Sequence, residues 1–141
     1  MKKLVALLLA LVTVFALCAC GGTAGQNGPK LDRNSTDAYL GTWEYESENG
    51  NKRLIINRGG VGKYEGRNEF ASTENYKNFS WSFTYEVKDE TLIVTIGDYH
   101  GGSWVSSFEL NEDGSALIII QHNLPAHDPA VVEGETAFTK K

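Results

Sequence analysis

Residues 79–87 read Phe-Ser-Trp-Ser-Phe-Thr-Tyr-Glu-Val, large and apolar at every odd position and polar at every even one. A period of two held over such a run describes a strand with one dry face and one wet face. The dry face carries Phe79, Trp81, Phe83 and Tyr85, and each ring can bury roughly 150–250 Å². At about 25 cal/mol per Å² that is on the order of 4–6 kcal/mol per ring, as an upper bound. No single ribbon hides that much apolar surface, so other strands must close over it.

The flanking sequence supplies them. Residues 39–46 place Trp43 and Tyr45 on one face, and Asn49-Gly50 is a strong hairpin signal. Residues 52–57 alternate with Leu54 and Ile56 inward, Arg58-Gly59-Gly60 breaks the chain, and 62–65 resumes with Tyr64. Beyond the central strand, Lys88-Asp89-Glu90 is a tight turn, 91–96 points Leu92, Val94 and Ile96 inward, and 103–110 points Trp104, Phe108 and Leu110 inward. A turn at 111–114, a strand at 115–121, a loop at 122–133 and a last strand ending at Phe138 complete the chain. Eight short strands with no helical period predict an all-β domain over 39–141. Sequential hairpins favour a small, eight-stranded antiparallel up-and-down barrel. A barrel of that size is filled by side chains or holds one small ligand. With three Trp, Phe79, Phe83, Phe108 and Tyr85 facing in, a packed interior is expected, with any site at a mouth.

Gly41-Thr42-Trp43 at the start of the first strand, with the strand pattern over 39–139, resembles the small bacterial lipocalin-like proteins of the calycin group. The resemblance implies structural roles for Gly41 and Trp43. The arginine that packs over this Trp from the last strand in lipocalins has no counterpart, and Lys140 and Lys141 are the nearest cations.

The N-terminus sets the location. Lys2-Lys3 precede an apolar run over 4–17 and a small-residue exit, the pattern of a secretory signal rather than a membrane span. Leu17-Cys18-Ala19-Cys20 resembles a bacterial lipobox. That resemblance implies a signal peptide over 1–19 and a diacylated Cys20, with the mature protein held on the extracytoplasmic face of the cell membrane. Residues 20–38 then serve as lipidated Cys and flexible tether, rich in Gly, Asn, Ser and Thr. Both of the chain's 2 cysteines fall in this region, so the barrel has neither a disulfide nor a thiolate to use. Without Lys2 and Lys3 the chain carries 11 basic against 18 acidic residues, which argues against nucleic acid as a partner.

Loop lengths choose the functional end. In an up-and-down barrel alternate connections share an end, so the tight turns 58–61, 88–90 and 111–114 lie with the termini. The connections 48–51, 66–78, 97–102 and 122–133 lie opposite and include every long loop, the usual carriers of function. Tyr76, Tyr99, His100, His122 and His127 are the candidate lining of a site there for a small ligand or peptide, with Phe70 on the same rim. His100, His122 and His127, with Asp98 and Asp128 beside them, are the donors for a weak metal-binding alternative, although loop polar residues are more often simply solvated.

Catalysis is not expected, and no cofactor is implied. There is no Gly-x-Ser-x-Gly elbow, and Gly59-Gly60-Val61-Gly62 lacks the Lys-Ser ending of a phosphate loop. A rival reading is a protein-interaction or inhibitor-type module. Leu117-Ile118-Ile119-Ile120 is apolar on both faces, and Ile93 and Val105 on neighbouring strands point outward, which would form a partner-binding stripe.

Overall fold

In the computed structural model, Asn78–Lys88 is the longest strand, and its inward rings are the centre of the core. The structure describes residues 30–71, 77–97, 101–126 and 128–141. Residues 1–29, which include the expected signal peptide over 1–19, Cys20 and most of the expected tether, lie outside the described residues. Eight strands run β1 Gly41–Ser47, β2 Gly50–Asn57, β3 Val61–Asn68, β4 Asn78–Lys88, β5 Thr91–Gly97, β6 Ser103–Leu110, β7 Ala116–Gln121 and β8 Ala137–Lys140. Each pairs antiparallel with its sequence neighbour, and β8 returns to β1, closing the barrel. This is the expected all-β up-and-down architecture. The parity argument therefore holds. Connections 58–60, 89–90 and 111–115 share an end with both ends of Leu31–Lys141. Connections 48–49, 69–77, 98–102 and 122–136 form the other end.

Local chemistry explains the register. Ser47 pairs with Gly50 across a two-residue turn, and a Cβ at Gly50 would stand 2.1 Å from the Arg67 carbonyl oxygen. Only glycine lets β3 come that close. Asp89 and Glu90 both have positive φ, 49° and 62°, the conformation of a type I′ hairpin turn whose twist matches the strands it joins. Gly62 faces Phe83 across the β3–β4 ladder. A Cβ there would lie 2.2 Å from the Phe83 ring, so the ring occupies the space that Gly62 leaves.

The interior is filled. Trp43, Tyr64, Leu54, Leu92, Phe108 and Leu117 are completely buried. At the terminal end, a 3-10 turn at Thr36–Ala38, N-capped by the Ser35 hydroxyl, leads into Tyr39. Tyr39 donates to the Glu90 carbonyl at 2.6 Å, and its own carbonyl accepts from Trp43 Nε1 at 2.7 Å. Leu31 and Ala38 pack on the core. Residues 31–38, read from composition as tether, therefore belong to the same unit as the barrel, Leu31–Lys141. Few contacts were enough to anchor them: Leu31 and Ala38 pack on the core, and Asn34 Oδ1 accepts from the Glu90 amide at 3.0 Å.

Two expected core rings differ. Trp81 and Trp104 are only partly buried and pack against the core's edge. Trp81 stacks on Phe79 at 4.7 Å and lies 6.1 Å from Tyr64, while Trp104 is the second residue of β6, at the long-loop rim. The apolar run of β7 also resolves. Phe108 pairs with Ile119 and Ser107 with Gln121, a bulge that leaves Ile120 unpaired and outward. Ile118 faces Glu109, Ile93 faces Ser107 and Val105 faces Thr95, so polar neighbours interrupt the expected stripe.

Candidate functional site

The long-loop end is organised by a buried charge pair. Lys52 follows the same inward alternation as Leu54 and Ile56 on β2, so its ammonium must point into the barrel. Its side chain is 1% exposed and that of Asp128, from the β7–β8 connection, is 0% exposed. Lys52 Nζ donates to Asp128 Oδ2 at 2.8 Å. Ser47 Oγ, at the end of β1, donates to the same oxygen at 2.8 Å. Asn49 Nδ2, in the β1–β2 turn, donates to Oδ1 at 2.9 Å, and the Ala130 amide donates there at 2.9 Å. One carboxylate thus accepts from four groups, on β1, the β1–β2 turn, β2 and its own connection. Burial alone pushes the Asp128 carboxyl up, but the donors from Lys52, Asn49, Ala130 and Ser47 outweigh it and hold it well below the usual carboxylate range.

Aromatic rings surround the pair. Lys52 Nζ lies 5.4 Å from the Tyr45 ring centroid, within cation–π range. Burial, and then the Asp128 charge, raises the pKa of Tyr45 and of Tyr64. Tyr64 is completely buried, and among the described residues its hydroxyl is a buried polar atom without a hydrogen-bond partner.

The same connection plugs the barrel mouth. Leu124, Pro125 and Ala126 are buried, and Leu124 and Ala126 join the core. The Asn123 amide donates to the buried Ser106 hydroxyl at 2.8 Å, the His122 amide to Glu133 Oε1 at 2.7 Å, and the Gly134 amide to the Ile119 carbonyl at 2.7 Å. This segment is therefore a built cap, although its described residues form no strand.

Outside the barrel wall, in the half nearer this end, runs a trough of about 430 Å³. Its lining includes Glu44 and Glu46 of β1, Arg53 of β2, Glu65 and Arg67 of β3, and Lys141. These strand residues alternate with the inward Tyr45, Lys52 and Tyr64, which fixes them on the outer face. Arg53 bridges Glu44 at 3.3 Å and Glu65 at 3.5 Å, and Lys141 meets Glu44 at 3.3 Å. The lining thus holds both signs of charge in alternation.

Of the residues expected to line the site, Tyr76, Tyr99, His100 and His127 lie outside the described residues, as does Asp98. His122 is half-buried at the start of the cap. Asp128 is engaged by the four donors above. Among the described residues no group of three His, Cys, Asp or Glu side chains is arranged to hold a metal ion. Ser47, Asn49 and Lys52 were not anticipated. The available signal was Lys52 itself, since a lysine at an inward strand position requires a buried anion.

At the terminal end, Lys140 Nζ stands 4.9 Å from the Trp43 ring centroid. The last strand thus supplies a cation over the first strand's Trp, with lysine in place of arginine. No family model, curated protein or solved structure matches the chain.

Proposed function

We propose that this protein is a lipid-anchored bacterial lipoprotein of lipocalin-like design, displayed on the extracytoplasmic face, that binds a small polar ligand or short peptide at the long-loop end. The anchor rests on the lipobox-like Leu17-Ala19-Cys20 pattern. The lipocalin-like reading rests on the closed up-and-down barrel and on Lys140 over Trp43.

The observation that carries the binding reading is the contrast between the filled interior and the outer trough of about 430 Å³. Small-molecule sites typically occupy about 300–1,000 Å³. With Arg53, Arg67, Glu44 and Glu65 around it, the trough suits a ligand bearing charge or hydroxyls, not a lipophile. Binding is therefore assigned to the wall beside the capped mouth instead of the barrel's inside. Ligand-observed NMR with a panel of short charged peptides and oligosaccharides tests it. A binder from the panel should lose its signal with the Arg53→Glu/Arg67→Glu variant. No binder in the panel, or a binder that the charge reversal leaves undisturbed, contradicts the reading.

The anchor has its own test. Cys20→Ser should move the protein from the membrane fraction to the soluble fraction and remove the lipid mass. Retention in the membrane at unchanged mass would contradict it.

A further inference from the structure

The Lys52–Asp128 cluster has more organisation than a cap needs. A loop can be held over a barrel mouth by its apolar residues, and Leu124, Pro125 and Ala126 already supply that contact. Beneath them, the barrel itself presents three side-chain donors, Ser47 Oγ, Asn49 Nδ2 and Lys52 Nζ, at 2.8, 2.9 and 2.8 Å from one carboxylate. All three belong to β1, β2 and the turn between them, which are held by the β1–β2 and β2–β3 ladders of the barrel itself. Among its described residues, the connection contributes the anion and the Ala130 amide to this cluster. We infer that Ser47, Asn49 and Lys52 form a carboxylate-binding site, occupied in this structure by the chain's own Asp128 as an internal ligand and open to an external carboxylate once Asp128 is withdrawn.

Two independent features support a receptor over a simple latch. The Tyr64 hydroxyl is buried and lacks a partner among the described residues, yet Asp128's charge acts on it. It is a buried donor on β3, the strand paired with the β2 that carries Lys52. An unpaired buried hydroxyl is costly, and a larger carboxylate seated from above is a natural partner for it. The docked connection is also strained. Ala126 sits two residues before Asp128 at φ 59°, the left-handed region that non-glycine residues seldom adopt. Docking is thus opposed by backbone strain as well as aided by the ion pair, as expected for an occupant that can leave.

The three donors point inward while the trough's charged side chains point outward. Although Lys52 also belongs to the trough's lining, the acetate titration and the Arg53/Arg67 charge reversal read different groups, so each reading can fail without the other. The test is chemical rescue in the full-length chain. Asp128→Ala is melted in rising sodium acetate, with sodium chloride holding ionic strength constant. Acetate should raise its melting temperature saturably, by about 5–10 °C at a tenfold excess over the dissociation constant. The wild type, whose site is filled, should show no such rise, and neither should Lys52→Met/Asp128→Ala. Should Asp128→Ala not fold in chloride, Asp128→Ser, which leaves a smaller void and a hydroxyl for Lys52, takes its place in the same titration. Acetate no better than chloride on the folded variant, or equal rescue of the variant lacking Lys52, would overturn the inference and leave the cluster a structural latch.

Discussion

Removing one partner of the Lys52–Asp128 pair should be far more harmful than removing both. Asp128→Ala leaves the Lys52 ammonium in a site where its side chain is 1% exposed, with no anion in reach and with Ser47 and Asn49 losing their acceptor. Stripping a buried charge of its partner typically costs about 3–5 kcal/mol. Lys52→Met should cost a similar amount, since it strands the Asp128 carboxylate with only neutral donors. The double variant Lys52→Met/Asp128→Leu removes both charges and refills the volume with apolar atoms. Such replacements are often neutral, so the double variant should recover most of the loss, with a coupling energy of about 2 kcal/mol or more. Chemical denaturation read by Trp fluorescence gives the free energies of the wild type, Lys52→Met, Asp128→Leu and the double variant, which close the cycle, with Asp128→Ala measured beside them. If Asp128→Ala alone falls within about 1 kcal/mol of wild type, or if the two losses simply add, the pair is not the buried, coupled unit described here. The pH dependence follows the same logic. Asp128 titrates lower in the folded protein than in the unfolded chain, where its value is about 3.9. Below that pH the unfolded chain binds more protons. The latch's contribution is therefore fully present above the unfolded value and is lost as pH falls toward the folded one.

Two other substitutions test the packing. Gly62→Ala should destabilise by about 1–3 kcal/mol, the usual range for overpacking, because its Cβ would meet both the Phe83 ring at 2.2 Å and the Ile55 carbonyl oxygen at 2.5 Å; an unchanged denaturation midpoint would refute that contact. Asp89→Asn/Glu90→Gly should stabilise by about 1 kcal/mol, because both positions hold positive φ and Asn-Gly is the preferred type I′ pair; a lower melting temperature would show that Glu90's own contacts outweigh the backbone gain.

The barrel was legible because its signal is local and repeated. The alternation over 79–87, the breaks at 58–60 and 88–90, and the lack of helical period are each readable within a few residues, and sequential pairing follows from short connections. Loop parity then located the long-loop end without reference to any tertiary contact. What escaped depends on contacts distant in sequence. Lys52 and Asp128 are 76 residues apart, and nothing near either one names the other. Composition suggested a free tether over 31–38, yet Leu31 and Ala38 packing on the core and the Asn34 side chain bonded to Glu90 dock it. The β7 run over 117–120 read as two-faced because Leu117 and Ile119 face the core while Ile118 and Ile120 face outward, and only the cross-strand register shows that Glu109 stands beside Ile118. Trp81 and Trp104 have the parity of core residues, but parity gives the face of a strand and not its depth beneath the rim.

If recognition takes place at the long-loop end and outer wall, the barrel interior must be packed. Xenon-pressure NMR on the methyl-labelled protein tests it most directly, because xenon enters apolar cavities that have no other occupant. The methyl resonances of Leu54, Ile56, Leu92, Leu117 and Ile119 should shift only weakly and linearly with pressure. Saturable shifts of those methyls would reveal an internal cavity able to hold a ligand, and would contradict it.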